Sequence, residues 1–232
     1  MIYVMSDIHG EYEKYCDMLK KLQLKDDDAL FVLGDVIDFG KDGIKILKDM
    51  MYRANIYPVL GEHEYMAKTL LPKVQSAKTA DECAKLVDDE SKQMFAHWLK
   101  NGGYPTLEAF LALSEEDKES VLDYLGEFVP YDEVEAGGRD FVLVHAGIRN
   151  FEEDKELDDY EEADFVTEKA DYGKVYFKNK FLVTGHTPTA EIIGGKDGKV
   201  FSSKRHLALD SAETADGKLA AVCLDTMKVY YV

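Results

Sequence analysis

The sequence is short of positive charge. Its 232 residues hold 28 Lys and Arg against 46 Asp and Glu, a net charge of −18. So acidic a chain argues against non-specific nucleic-acid binding and against anionic membranes. Cysteine is scarce: Cys16, Cys83 and Cys223 are scattered, with no Cys-x-x-Cys. An odd, dispersed set excludes a disulfide framework and reads as reduced thiols in a cytoplasm. No stretch approaches the ~20 apolar residues that span a bilayer. The N-terminus lacks a basic region and has only five apolar residues before Ser6, so no signal peptide is expected. Internal repeats, low-complexity tracts, Pro/Ser-rich linkers and a Ser or Cys nucleophile motif are also missing.

Hydrophobic residues make up 46% of the chain, enough for an ordinary core. The length fits a single α/β domain over 1–232, burying roughly 70–75% of the unfolded surface. Five short apolar runs organise it, and each delivers Asp, Glu or His at its end. Residues 1–5 lead to Asp7-Ile8-His9-Gly10. Phe31-Val32-Leu33 leads to Gly34-Asp35-Val36-Ile37-Asp38. Residues 56–60 lead to Gly61-Glu62-His63-Glu64. Residues 141–144 lead to His145-Ala146-Gly147, and 181–184 to Gly185-His186-Thr187-Pro188. A short apolar run stopped by Gly reads as a buried strand, and α/β folds bind ligands at the carboxyl ends of strands.

Between these runs the periodicity predicts helices over 11–24 and 41–53, giving a β-α-β-α-β opening with a parallel sheet. Residues 66–130 read as helices inserted as a cap between two halves of the domain. Thr79 to Glu82 reads as a capping box and Ser114 as a second N-cap. Trp98-Leu99-Lys100-Asn101-Gly102-Gly103 reads as a helix end stopped by glycine. In the β-rich second half, Asp197-Gly198 and Asp216-Gly217 read as hairpin turns. The runs at 207–210, 219–224 and 229–232 read as strands of a second sheet. Residues 152–164 hold nine acids and one Lys, a pattern usual for a solvated face.

Taken singly, each strand-end Asp or His reads as a turn or capping residue. Asp38 alone would cap the next helix, and Glu64 would be a first-turn acid. Five coincidences at once point instead to one dinuclear metal centre, which needs hard oxygen donors, imidazoles and a bridging carboxylate. Asp7 and His9, two apart, point the same way from a strand. Asp35 bridges, and Glu62, His145 and His186 complete the second ion. His63 is left as a protonatable group whose ring Asp38 orients.

Asp-x-His-Gly, Gly-Asp-x-x-Asp-x-Gly, Gly-x-His-Glu, His-Ala-Gly and Gly-His-Thr-Pro, in this order, resemble the calcineurin-like metallophosphoesterases. Within them the chain resembles the bacterial and phage-type serine/threonine phosphoprotein phosphatase branch, which often carries the Trp98–Gly103 pattern and includes the symmetrical diadenosine tetraphosphate hydrolases. The resemblance covers nearly the whole chain. It implies a two-sheet β-sandwich flanked by helices, with the 66–130 helical insertion. It also implies two divalent metal ions, manganese first, with iron and zinc as alternatives. A metal-bridging hydroxide would attack phosphorus, with His63 as general acid.

Two departures stand out. Glu62 replaces the family's Asn. Phe39 replaces a phosphate-gripping Arg, and a second such Arg aligns with Lys169, so Lys169 and Phe39 are the candidate substrate-binding positions. The expected activity is hydrolysis of phosphate monoesters, first of all phosphoserine and phosphothreonine in proteins. The alternatives are a diadenosine polyphosphate hydrolase and a degenerate phosphatase that binds metal or phosphate. A phosphoprotein or a small phosphoester is the expected partner.

Overall fold

The computed structural model describes residues 1–196, 198–211 and 217–232. Strand β1 (Ile2–Met5) leads through helix α1 (Tyr12–Leu22) to β2 (Ala29–Leu33), and α2 (Gly43–Met51) leads to β3 (Ile56–Val59). These strands pair in parallel, β1 with β2 and β2 with β3, as the opening periodicity predicts. Helices α3 (Glu62–Val74), α4 (Ala80–Leu86), α5 (Lys92–Trp98), α6 (Tyr104–Leu111) and α7 (Glu115–Gly126) form the insertion. The second half runs β4 (Tyr131–Ala136), β5 (Arg139–Val144), α8 (Glu162–Val166), β6 (Lys180–Thr184), β7 (Phe201–Ser203), β8 (His206–Ala208), β9 (Ala220–Cys223) and β10 (Lys228–Tyr231). No helix among the described residues is long and apolar enough to cross a membrane.

Among the described residues the strands form two five-stranded sheets, ordered β10-β9-β1-β2-β3 and β4-β5-β6-β8-β7. The last two strands therefore join the first sheet, with β9 antiparallel to β1, and not the second sheet that the sequence suggested. The reason lies in alternation. Val4, Phe31, Leu33, Phe141, Leu143, Val183, Leu207 and Val222 form one cluster between the sheets. Their chain neighbours Tyr3, Met5, Leu30, Val32, Val142, Val144 and Leu182 belong to a second cluster shared with the helices. Strands covered on both faces read as unbroken apolar runs, so their composition does not say which sheet they join.

Two hairpins among the described residues turn on residue pairs not singled out from the sequence. Gly137 and Gly138, with φ of 55° and 71°, turn β4 into β5, and Lys204 and Arg205, with φ of 44° and 67°, turn β7 into β8. Positive φ at both central residues marks type I′ turns, whose twist matches the strands. Asp197 and Asp216 lie outside the described residues. Ser114 caps α7 as expected, its Oγ accepting from Asp117 N–H at 3.1 Å. Thr79 caps α4 through Glu82 N–H at 3.3 Å, but the Glu82 carboxylate reaches back to Lys78 N–H at 2.8 Å, one residue beyond a reciprocal box. Past Trp98 the helix passes into a π-type turn over Leu99–Gly103, broken by Gly102 at φ 91°, before α6 begins. The acidic stretch is only partly a solvated face. Leu157 and Tyr160 are buried, and Phe165 and Asp164 in α8 accept from Ala146 and Arg149 N–H, so α8 folds onto the loop after His145.

Candidate metal centre

The ends of β1, β2 and β3 in one sheet meet the ends of β5 and β6 in the other. Asp7 N–H donates to Gly34 O at 3.1 Å, and Gly185 N–H to His145 O at 2.7 Å. Within the first sheet Ser6 Oγ donates to Leu33 O at 3.1 Å, and across the sheets His186 N–H donates to Asp7 Oδ1 at 3.0 Å. Room for this convergence comes from glycine: a Cβ on Gly185 would lie 2.3 Å from Asp7 Oδ2, and one on Gly61 2.3 Å from Asp35 N. Asp7, His9, Asp35, Asp38, Phe39 and His186 all have φ between 46° and 72°. Such conformations cost about 1–3 kcal/mol each in non-glycine residues and cluster at functional sites. Here they bend each chain sharply off its strand.

Asp35 is the hub. Its carboxylate lies within two groups whose potential ligand atoms all fall within 4.8 Å of one another, His9-Asp35-His63 and Asp35-His145-His186. Asp35 Oδ2 is 3.3 Å from His145 Nε2 and 3.9 Å from both His9 Nε2 and His63 Nε2. Asp7 is buried beside them and accepts His186 N–H at 3.0 Å. Glu62 Oε2 lies 3.9 Å from His186 Nδ1. Asp7 and Glu62 thus flank the two compact groups, and His63, read as a non-ligand, falls inside the first.

The donor set suits a cation. His145 Nδ1 is 2.7 Å from Leu33 O, which can only accept, so in the neutral ring Nε2 presents its lone pair. That Nε2 is buried without a hydrogen-bond partner among the described residues and faces a carboxylate, an arrangement that needs positive charge. Burial works against protonation of His145, yet the Asp35 carboxylate pushes it up to about 10. Burial and the neighbouring Asp210 charge raise Asp7 well above the usual carboxylate range. Burial and the Asp35 charge likewise raise Glu62. Burial and a charged His145 hold His186 down to about 4, leaving its ring neutral. A divalent ion in place of the His145 proton would meet carboxylates and imidazole lone pairs, a donor set that fits borderline-hard divalent ions.

His63 Nδ1 lies 2.5 Å from Asp38 Oδ2, so Asp38 fixes the ring and aims Nε2 at the centre. Burial opposes protonation of His63, but the Asp35 charge and the Asp38 hydrogen bond push it up to about 9. Phe39 is 52% exposed, with its ring centroid 4.9 Å from that of His9 and 5.3 Å from that of His63. It therefore faces the centre. Lys169 is tied to Glu191 at 2.6 Å, and both are more than half exposed.

Several residues around the centre carry no signal in isolation. Glu64 is completely buried, and its carboxylate accepts the N–H groups of Asp35, Val36 and Ile37 at 2.7, 2.8 and 3.1 Å. Its sequence signal was its place on the apolar stripe of α3 with Ala67, Leu71 and Val74. Trp98 Nε1 donates to Asp38 Oδ2 at 2.6 Å, and Thr106 Oγ1 accepts Asp38 N–H at 3.0 Å. Both reach the centre from the inserted helices, at a sequence separation no local pattern bridges.

The calcineurin-like phosphoesterase family model matches residues 1–216. The symmetrical bis(5'-nucleosyl)-tetraphosphatase of Wigglesworthia glossinidia brevipalpis is 30% identical over 101 residues, 42% of this chain and 37% of that protein. Its counterpart from Buchnera aphidicola subsp. Schizaphis graminum is 27% identical over 119 residues, 50% of this chain and 41% of that protein. The chain thus spans about two fifths of the length of these curated relatives. A solved structure provisionally assigned as a diadenosine tetraphosphatase superposes with a TM-score of 0.64 at 19% identity, covering 100% of this chain and 92% of its own. A protein serine/threonine phosphatase from Saccharomyces cerevisiae superposes at 0.57 and 11% identity, covering 100% and 78%. At these identities the two structures share the fold.

Proposed function

The chain belongs to the calcineurin-like phosphoesterase family, and we propose that it is a metal-dependent phosphoric ester hydrolase acting on dinucleoside polyphosphates. The observation that carries the hydrolase reading is Asp35, one buried carboxylate shared by two imidazole-bearing groups. The substrate class rests on relatives named as symmetrical bis(5'-nucleosyl)-tetraphosphatases. They support it better than the phosphoserine and phosphothreonine reading reached from the sequence.

His9, Asp35, His145 and His186, flanked by Asp7 and Glu62, would hold two divalent ions, with manganese the first candidate. When bound, such ions lower the pKa of a water and offset charge on phosphoryl oxygens. The chain's own residues do the rest. Asp38 holds His63 by its Nδ1, so a proton on Nε2 is delivered towards the leaving oxygen as general acid. Trp98 holds Asp38 in turn. Phe39 closes the side where an Arg would have gripped phosphate. Glu64 fixes the loop that carries Asp35. We read 1–232 as one domain, and its three free cysteines fit the reducing cytoplasm.

A second reading draws on charge. At −18 the molecule repels polyanions and favours phosphopeptides with basic flanks. The deciding experiment measures hydrolysis by the manganese-loaded protein of diadenosine tetraphosphate, a phosphopeptide with basic flanks and an aryl phosphate. A kcat/KM highest for diadenosine tetraphosphate is expected. Faster cleavage of the phosphopeptide would move the assignment to the second reading. No hydrolysis of any of them by metal-loaded protein would leave a metal-binding protein.

A further inference from the structure

A cavity of about 230 Å³ opens beside the Asp7–His9 edge of the centre. Ile8, Phe39 and Leu219 give it apolar walls, and Lys14 and Glu11 give it charge. Ile8 and Leu219 are each 1% exposed, so they form its buried floor, and the exposed apolar wall is Phe39. The Phe39 ring stands edge-on to His9 and His63 and continues the apolar wall up to the centre. Lys14, on α1, is the cation that lines the cavity among the described residues. Its Nζ is 3.7 Å from Glu11 Oε2, an ion pair with no hydrogen bond, and its side chain is 35% exposed. Lys169, by contrast, is bonded to Glu191 at 2.6 Å.

We propose that this cavity holds the nucleotide leaving group, with its base against Phe39 and Leu219 and Lys14 on the phosphates beyond the scissile bond. A flat, largely apolar purine is complementary to such walls. An ammonium at the rim supplies charge-assisted hydrogen bonds to phosphate that Phe39 cannot. A phosphoserine side chain has no planar group to fill the space. The inference rests on the dinucleoside polyphosphate reading and adds the residues that recognise its nucleotide half. In that reaction one water adds to phosphorus and the bond from phosphorus to the bridging oxygen breaks. That oxygen keeps the electron pair and takes the proton from His63, while the proton given up by the attacking water passes to solvent, from which His63 is reprotonated. Diadenosine tetraphosphate then yields two ADP.

The test titrates ADP by calorimetry into manganese-loaded wild type, Lys14→Gln and Leu219→Asn, with folding followed by circular dichroism. Lys45→Gln, whose ammonium lies over the Tyr12 ring, is the control. The ratio of kcat/KM for diadenosine tetraphosphate to that for an aryl phosphate is measured alongside. Lys14→Gln is expected to weaken ADP about tenfold and lower the ratio about tenfold, the size of one charge-assisted hydrogen bond. Lys45→Gln is expected to change neither. If wild type cleaves diadenosine tetraphosphate but Lys14→Gln, or a folded Leu219→Asn, matches it within twofold on both measures, the subsite is wrong and the function stands. If ADP binds and weakens as expected but diadenosine tetraphosphate is not cleaved, the subsite stands and the function falls. If wild type neither binds ADP nor cleaves the dinucleotide, both fall.

Discussion

Asp38 Oδ2 is met by two donors, His63 Nδ1 at 2.5 Å and Trp98 Nε1 at 2.6 Å. Removing the indole N–H withdraws a hydrogen bond to a buried carboxylate, worth about 1.5–3 kcal/mol, and loosens the grip on His63. Trp98→Phe is therefore expected to lower kcat roughly tenfold or more while KM moves less, as for a group that acts in the transition state. A kcat within twofold of wild type in the folded variant would reduce Trp98 to packing. Phe39 leads to the opposite expectation. Its ring stands by His9 and His63, so an Arg there reaches the same space with donors for phosphoryl oxygens. Phe39→Arg is expected to tighten inhibition by inorganic phosphate and raise kcat/KM on an aryl phosphate about tenfold, the effect of ~1.4 kcal/mol. If neither improves in folded, metal-loaded protein, position 39 does not face the substrate. The residues that converge on Asp35 were legible in the sequence because each ends an apolar run, and a run's end has a fixed place in the fold. Trp98 was visible only as part of a motif. Its partner lies 60 residues away, and the bond exists only once the inserted helices pack.

The first turn of α3 carries Glu62, His63 and Glu64, and two of them face the centre while the third faces the loop behind it. Glu64 satisfies three buried N–H groups of the Asp35 loop. In Glu64→Gln an amide NH₂ meets at least one of those donors, leaving it unpaired at about 1–3 kcal/mol. Lower thermal stability and weaker manganese binding are expected together, read by calorimetry. Unchanged manganese affinity would confine Glu64 to a structural role. On β8, His206 is buried, with Nε2 3.1 Å from Thr184 Oγ1 and its ring stacked on Tyr172 at 4.7 Å. Burial pushes it from the usual 6.5 down to about 4. The unfolded chain takes up this proton below 6.5 and the folded chain only near 4, so the stabilisation is full above 6.5 and lost as pH falls through that window. At about 1.4 kcal/mol per pKa unit it is worth up to ~3 kcal/mol. His206→Phe keeps the stack and is expected to flatten the fall in unfolding free energy between pH 7 and 4.5. An unchanged slope would exclude His206 as a source of acid sensitivity. Strand periodicity gave these elements, but not the sheet that β9 and β10 join. That choice depends on β1 offering an open edge, which no local pattern records.

The whole molecule sets a field that opposes its proposed substrate. A net charge of −18 repels dinucleoside polyphosphates at long range, whereas in the proposed reading the metal-loaded centre and Lys14 would attract phosphate at short range. Salt separates the two. The Debye length falls from about 30 Å at 0.01 M to about 8 Å at 0.15 M, which screens the distant surface acids more than groups in contact with substrate. With saturating manganese, kcat/KM for diadenosine tetraphosphate is therefore expected to rise severalfold over that range, and that for a less charged aryl phosphate to rise less. A phosphopeptide with basic flanks should behave in the opposite sense, since the same field draws it in. Stopped-flow or initial-rate measurements at fixed pH and varied sodium chloride distinguish the cases. A fall in kcat/KM for the dinucleotide with added salt would mean that local cations govern its encounter, and that the acidic surface faces away from the path of approach.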